Sequence, residues 1–291
     1  MRQYVIAGHT IQLSGKGTQS FPGFDFFSVE KVDNEPLLII DTEAIVKDWA
    51  ISPFFSYGQF ERTFYDLSIL DKAYLFRMKL SDDNYLQAKI SQESNSFQAV
   101  VWEKGVINNF WLKSVYELLF NIAALSRQTI SIHASTVIAH GKSVLFLGES
   151  GTGKSTQTGL WLQHIPGAEL LNDDRPFIRV ESGGDIRVYG SPWSGKTPCY
   201  KNRNTPIAAF VRLSQAPYNR IRRLKGAEAI GALLPSLPFT ALYKKNLSEP
   251  IYSIISQTLQ QAPVYHLECL PDADAVELVY ATLMQDRFLC R

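Results

Sequence analysis

The octapeptide Gly148-Glu149-Ser150-Gly151-Thr152-Gly153-Lys154-Ser155 satisfies the full G-x-x-x-x-G-K-[ST] pattern. The pattern has a mechanical basis. Glycines let backbone N–H groups converge on phosphate oxygens, and the helix that starts at the end of such a loop adds partial positive charge. Lys154 can reach β- and γ-phosphates, and the Ser155 hydroxyl can ligate Mg²⁺. The flanks are the required ones, with an apolar strand over 142–147 before the loop and a helix over 154–164 after it. An incidental lysine on a glycine-rich turn would not satisfy every position and both flanks. These residues point to a nucleoside triphosphate.

A second group of chemistry-bearing residues follows closely. Asn172-Asp173-Asp174 comes after the short apolar run Leu170-Leu171, with Asp173 only 19 residues beyond Lys154. Two adjacent carboxylates near a phosphate site suggest a division of labour. One serves the metal, directly or through water, and the other accepts a proton from an attacking hydroxyl. Arg175 is expected to pair with one of them. Farther on, Gly190-Ser191-Pro192-Trp193-Ser194-Gly195-Lys196 forms a loop in which Lys196 could neutralise a transferring phosphoryl group; a stiffened turn with a solvated lysine is the plainer alternative.

These residues and the preceding Ile132-His133-Ala134-Ser135 resemble the HPr kinase/phosphorylase family, and also the nucleotide site of ATP-dependent phosphoenolpyruvate carboxykinase. The likeness is good over 129–200 and loose over 201–285, and residues 1–105 do not match the N-terminal domain of the HPr enzyme. The resemblance implies an α/β (α+β) P-loop kinase domain of the HPr kinase/carboxykinase type, with a β-rich domain before it. It implies ATP and Mg²⁺ as cofactors. The nucleotide set would be Gly148, Glu149, Ser150, Gly151, Thr152, Gly153, Lys154, Ser155 and Thr156. Lys154, His133, Asp173 and Asp174 would be the catalytic group. Ser155 with one aspartate would hold the metal; Asp174 is favoured for that and Asp173 as base, although the residue order does not separate them. Two departures stand out. Thr156 replaces the glutamate that usually follows the loop, and Tyr189 to Lys196 replaces the family motif that serves reverse phosphorolysis. Both speak against phosphorolysis and against HPr itself as acceptor.

The elements that must position these residues divide the chain at about residue 106. Residues 1–105 read as β-rich, for recognition or oligomerisation. Tyr4–Ile6 and Thr10–Leu13 flank a Gly8-His9 turn that puts His9 at the surface, Leu37–Ile40 is a short strand, and Ala73–Leu80, Tyr85–Ile90 and Phe97–Trp102 form a meander. Residues 106–291 then carry a helix from Phe110 to about Arg127 with Asn109 as cap, strands over 129–138 and 142–147, and a helix over 154–164. A strand at Leu170-Leu171 and a hairpin of Phe177–Val180 with Ile186–Tyr189 come next. Helices are expected over 227–234 and 249–260, and after Pro271 with Asp272 or Asp274 at the cap.

Composition sets the outer limits. At 291 residues and roughly 150 per domain, about two domains are expected. Lys and Arg number 29 against 28 Asp and Glu, a net charge of +1, which speaks against a polyanion binder and so against nucleic acid. The one basic cluster, Arg220 to Lys225, reads as a solvated face. Cys199, Cys269 and Cys290 show no metal-ligand spacing and suit a reducing compartment. Lys113, Glu117 and Asn121 interrupt the most apolar stretch, Phe110 to Leu125, so no membrane span is expected. A cytoplasmic kinase follows, acting on a hydroxyl of a protein, peptide or small molecule, with self-association implied by the family. The alternatives are a carboxykinase-like phosphotransferase and a nucleotide-binding regulator that does not transfer.

Overall fold

The computed structural model describes residues 1–15, 21–30, 32, 34–43, 55–60, 63–69, 73–79, 81–106, 109–238 and 245–289. Leu80 and Cys290, named above, lie outside them. The fold is mixed α/β, in two compact units, Met1–Ala124 and Leu125–Arg291. The division falls after a helix rather than before it, because that helix, α1 (Asn109–Leu125), shares its aromatic residues with the first unit. Tyr116 stands edge-on to Phe21 at 5.7 Å, and Phe120 lies 6.3 Å from His9.

The first unit is built on one sheet. Strands β1 (Arg2–Ile6) and β2 (His9–Ser14) pair Ile6 with His9 across Ala7-Gly8, whose φ angles of 49° and 76° suit a two-residue hairpin turn. The turn is therefore one residue earlier than expected, and His9 begins β2 as a buried side chain rather than a surface one. Strands β3 (Ser28–Val29), β4 (Leu38–Asp41), β5 (Phe55–Phe60), β6 (Thr63–Ile69), β7 (Ala73–Lys79), β8 (Tyr85–Glu93) and β9 (Ser96–Lys104) complete the order β3-β1-β2-β4-β9-β8-β7-β6-β5. The expected meander is β7, β8 and β9, with Lys79 opposite Tyr85 and Glu93 opposite Ser96.

The second unit alternates strands and helices. Its elements are β10 (Thr129–Ser131), β11 (Ala134–Ala139), β12 (Lys142–Leu147), α2 (Lys154–His164), β13 (Glu169–Asp174), β14 (Phe177–Val180), β15 (Ile186–Tyr189) and β16 (Asn204–Gln215). After these come β17 (Arg220–Leu224), α3 (Ala227–Leu233), a 3-10 turn (Leu234–Ser236), α4 (Lys245–Gln261), β18 (Val264–Cys269) and α5 (Ala273–Gln285). The strands run β10-β14-β15-β16-β12-β11-β13, with β18 also beside β16 and β17 beside β18. Strands β12, β16 and β18 are parallel, so the loop 148–153 leaves the sheet at the carboxyl edge, where open α/β sheets place their ligands.

The strands depart from the sequence reading in two places. The strand expected over 129–138 breaks at Ile132-His133, whose N–H groups leave the ladder for the carbonyls of Pro176 (3.0 Å) and Ser236 (2.6 Å). Strand β13 is longer than Leu170-Leu171, beginning at Glu169, and it ends in the two aspartates as expected. The basic cluster forms β17, and its Arg220, Arg222, Arg223 and Lys225 are exposed, the solvated face expected. There Arg220 pairs with Glu268 at 2.5 Å, Arg222 with Glu228 at 3.0 Å, and Arg223 covers the ring of Phe288.

Helices α2 and α5 cover one face of this sheet. Trp161 and Ile165 meet Phe146, Val211 and Leu213, with Val276, Val279 and Leu283 of α5 in the same cluster. The α5 start is as expected, with the Asp272 carboxylate accepting from the Ala275 N–H at 3.0 Å. Trp161 is fully buried, edge-on to Phe146 at 5.8 Å, and holds α2 and hence the loop before it. We expect Trp161→Ala to destabilise the protein by about 3–5 kcal/mol in denaturant unfolding. Its indole N–H meets no acceptor among the described residues. Trp161→Phe should therefore lose less than half as much, and an equal loss would contradict this packing role.

Cys199 and Cys269 are buried free thiols, both pushed up in pKa first by burial. Among the described residues no helix is long and apolar enough to cross a membrane.

Candidate active site

Strand β12 is buried along nearly its whole length, and the chain turns from its end through Gly148–Gly153 into α2. A Cβ on Gly148 would run into the Thr152 hydroxyl, which is itself tied to the Glu149 carbonyl at 2.8 Å. Helix α2 starts at Gly153, at φ 103°, without a side-chain cap, so its first N–H groups keep their capacity to bind an anion. The Lys154 ammonium turns back over the loop and donates to the carbonyls of Gly148 (2.8 Å) and Glu149 (3.1 Å). Burial, with Arg175 and Arg212 nearby, holds that ammonium below the usual lysine pKa, against the opposing pull of Asp174 and Asp173.

The two aspartates have different surroundings. In the β11–β13 pairing Ser135 is opposite Asp173 and Ala134 opposite Asp174. The Ser135 hydroxyl meets Thr158 of α2 at 3.0 Å, which marks the α2 side of the sheet. Asp173 belongs to that side. Its buried carboxylate accepts from the Ser155 hydroxyl at 2.9 Å and from the Thr197 N–H at 3.3 Å. Asp174 has Nε2 of His133 at 3.2 Å and Nη1 of Arg175 at 3.8 Å from Oδ1, so the expected pairing of Arg175 is present. Its φ is 130°, a conformation non-glycine residues adopt rarely and at an energetic cost that the surroundings must bear.

Those surroundings are the loop after β15. Asn172, fully buried and adjoining the aspartates, donates its amide to the carbonyls of Trp193 (3.1 Å), Ser191 (3.3 Å) and Cys199 (3.4 Å). Its side-chain oxygen accepts from the Arg175 N–H at 2.9 Å. The loop returns the support, with the Gly195 N–H donating to the Asp173 carbonyl at 2.5 Å and Asp174 bridging to Ser194. A Cβ on Gly195 would stand 3.2 Å from Asp173 O and Asp174 Cβ, so a glycine lets the loop lie directly on the acid pair. Lys196 is exposed beside it.

The His133 ring is neutral at ordinary pH. Burial chiefly, then the charges of Arg175 and Lys154, pull it down to about 4, against the opposing carboxylates of Asp174 and Asp173. The contact with Asp174 therefore joins a carboxylate to a neutral imidazole rather than two full charges. The sign for stability follows. Between about pH 6.5 and 4 the unfolded chain binds a proton that the folded chain refuses, so stability falls as pH drops through that window. In an NMR titration the His133 ring signals should stay unchanged down to about pH 5; a midpoint near 6.5 would contradict this environment.

The sequence-derived residues thus come together in the second unit: the loop 148–155, Thr156 on the first turn of α2, the aspartates and His133. Two residues beside these were given no role of their own by the sequence. Asn172 as clamp gives no signal, since an asparagine before two aspartates looks like turn chemistry. Arg212 does give one: it is a cation inside the apolar strand β16, and it pairs in register with Leu147, the last residue before the loop. The donor set fits a nucleotide with Mg²⁺. Mg²⁺ takes oxygen ligands and few from protein, which a serine hydroxyl beside a carboxylate can supply. Among the described residues no group of three or more His, Cys, Asp or Glu could hold a metal.

No protein-family model and no curated protein matches this chain. Among solved structures it is similar to the Hpr(Ser) kinase/phosphatase from Coxiella burnetii, at 12% identity and a TM-score of 0.31, over 54% of this chain and 95% of that one.

Proposed function

We propose that this chain is an ATP-dependent phosphotransferase that passes the γ-phosphoryl group to a hydroxyl, most simply a serine of a protein, a peptide or a small molecule. The observation that carries the reading is the hydrogen bond from Ser155 to Asp173, with Asp174 turned to His133 on the next position of the strand. A nucleotide binder needs the first arrangement and has no use for the second. Bound ATP with Mg²⁺ supplies the phosphoryl group and screens its charge. The loop amides and Lys154 hold the phosphates. Ser155 and Asp173 hold the metal, the reverse of the order that the resemblance favours, because the Ser155 hydroxyl meets Asp173. Asp174 accepts the proton of the attacking hydroxyl. The neutral His133 ring orients Asp174 without neutralising its charge.

Turnover and ATP binding measured together on Asp173→Asn/Asp174→Asn test the reading. A kinase loses turnover in the double variant. A wild-type protein that binds ATP and Mg²⁺ tightly, yet turns nothing over with any hydroxyl offered, would instead be a regulator.

A further inference from the structure

Strand β16 carries Arg212 between Val211 and Leu213, which both pack into the α2 cluster, so Arg212 faces the opposite side of the sheet. On that side its guanidinium donates to the Ala232 carbonyl at 3.3 Å and to the Ser236 hydroxyl at 3.4 Å, both long bonds between a charged donor and neutral acceptors. Among the described residues it has no carboxylate partner. Ser236 is buried, and its carbonyl accepts from the His133 N–H, so one residue ties Arg212 to the His133–Asp174 side of the site. Arg212 also stands opposite Leu147 in the parallel pairing, one residue before the phosphate loop. Two cations, Lys154 and Arg212, therefore flank the same stretch of the carboxyl edge. A half-buried arginine without a counter-charge beside a phosphate loop calls for an anion.

We infer that Arg212 is the binding residue for the terminal phosphoryl group of a nucleoside triphosphate, on the face of the sheet away from α2, and so sets the preference for triphosphate over diphosphate. This rests on the nucleotide reading above and extends it to a residue outside the loop motif. A guanidinium offers a planar pair of donors to phosphate oxygens that an ammonium does not. Bound between Lys154 and Arg212, the γ-phosphate would face Asp174 and the incoming hydroxyl. The plainer role for Arg212 is to close the last turn of α3, where Ala232 lies.

Calorimetric titration of the full chain with Mg²⁺ separates the two, using a non-hydrolysable ATP analogue in one arm and ADP in the other. We expect Arg212→Gln to weaken the analogue about tenfold or more and ADP less than about threefold, with Arg212→Lys recovering part of the loss. Unchanged affinities, or an equal loss for both nucleotides with a lowered thermal midpoint, would overturn the inference in favour of the α3 role. A transfer defect with both nucleotide affinities intact would overturn it too, by assigning Arg212 to the acceptor. If the wild-type chain binds neither nucleotide, the functional reading itself fails, and that result is distinct from the others.

Discussion

Lys154→Met is expected to reduce phosphoryl transfer by at least about 10²–10³-fold, the usual loss when one preorganised charged donor is removed from a transferring group. The fold should survive the change. Lys154 lies on the first turn of α2 and donates, among the described residues, to the loop carbonyls of Gly148 and Glu149, whereas the helix is anchored by Trp161 and Ile165 farther along. Methionine keeps most of the side chain's length and removes the charge. The variant should therefore unfold within about 1 kcal/mol of the wild type, as substitutions away from the core do, while its ATP affinity falls with its turnover. Melting curves and ATP titrations on the same samples check both halves. Transfer at the wild-type rate by a well-folded Lys154→Met protein would remove the loop from the mechanism.

The second large effect concerns Asp174. As a general base it should contribute about 10²–10⁴-fold to the rate, so Asp174→Asn should lower turnover by that factor and leave ATP affinity within a few-fold. Asparagine is the appropriate replacement. It has the size and shape of the native aspartate, so it adds no strain to the φ of 130° that this position demands. A β-branched residue would confound loss of the base with loss of the backbone. Asp173→Asn should behave differently. With its carboxylate held by Ser155 and Thr197, its loss should appear first as a raised Mg²⁺ requirement. If the two variants exchange these behaviours, Asp173 is the base and the assignment here is reversed.

Much of the site could be read from the sequence because its chemistry is local. A phosphate cradle needs particular residues at fixed spacing between a strand and a helix, and 142–164 carries them in consecutive order. The aspartates could be placed near the loop for the same reason, but which of them meets Ser155 could not. Which carboxylate meets Ser155 depends on the pairing of β13 with β11 and on the φ of Asp174, and neither follows from two identical residues side by side.

The greatest loss was β16. Its stretch Asn204–Gln215 is apolar enough for a central strand, but Pro206 lies within it, and proline speaks against an interior strand. The structure accommodates the proline near the start, where β16 pairs with β15, before the ladders with β12 and β18 begin. With β16 unassigned, Arg212 had no element to stand on and could not be placed beside the loop. His9 failed for a smaller reason. A glycine and a histidine look like a turn, and only the pairing of Ile6 with His9 shows the turn to be Ala7-Gly8.

The most direct test of the proposed function is the fate of the γ-phosphoryl group. γ-Labelled ATP with Mg²⁺ is offered to the wild-type chain with free serine and with a pool of cell peptides, and Asp174→Asn is run in parallel. Label on a seryl product that is lost in the variant is the predicted result. ATP bound at the loop, with no label leaving it for any acceptor or for water, would contradict the account.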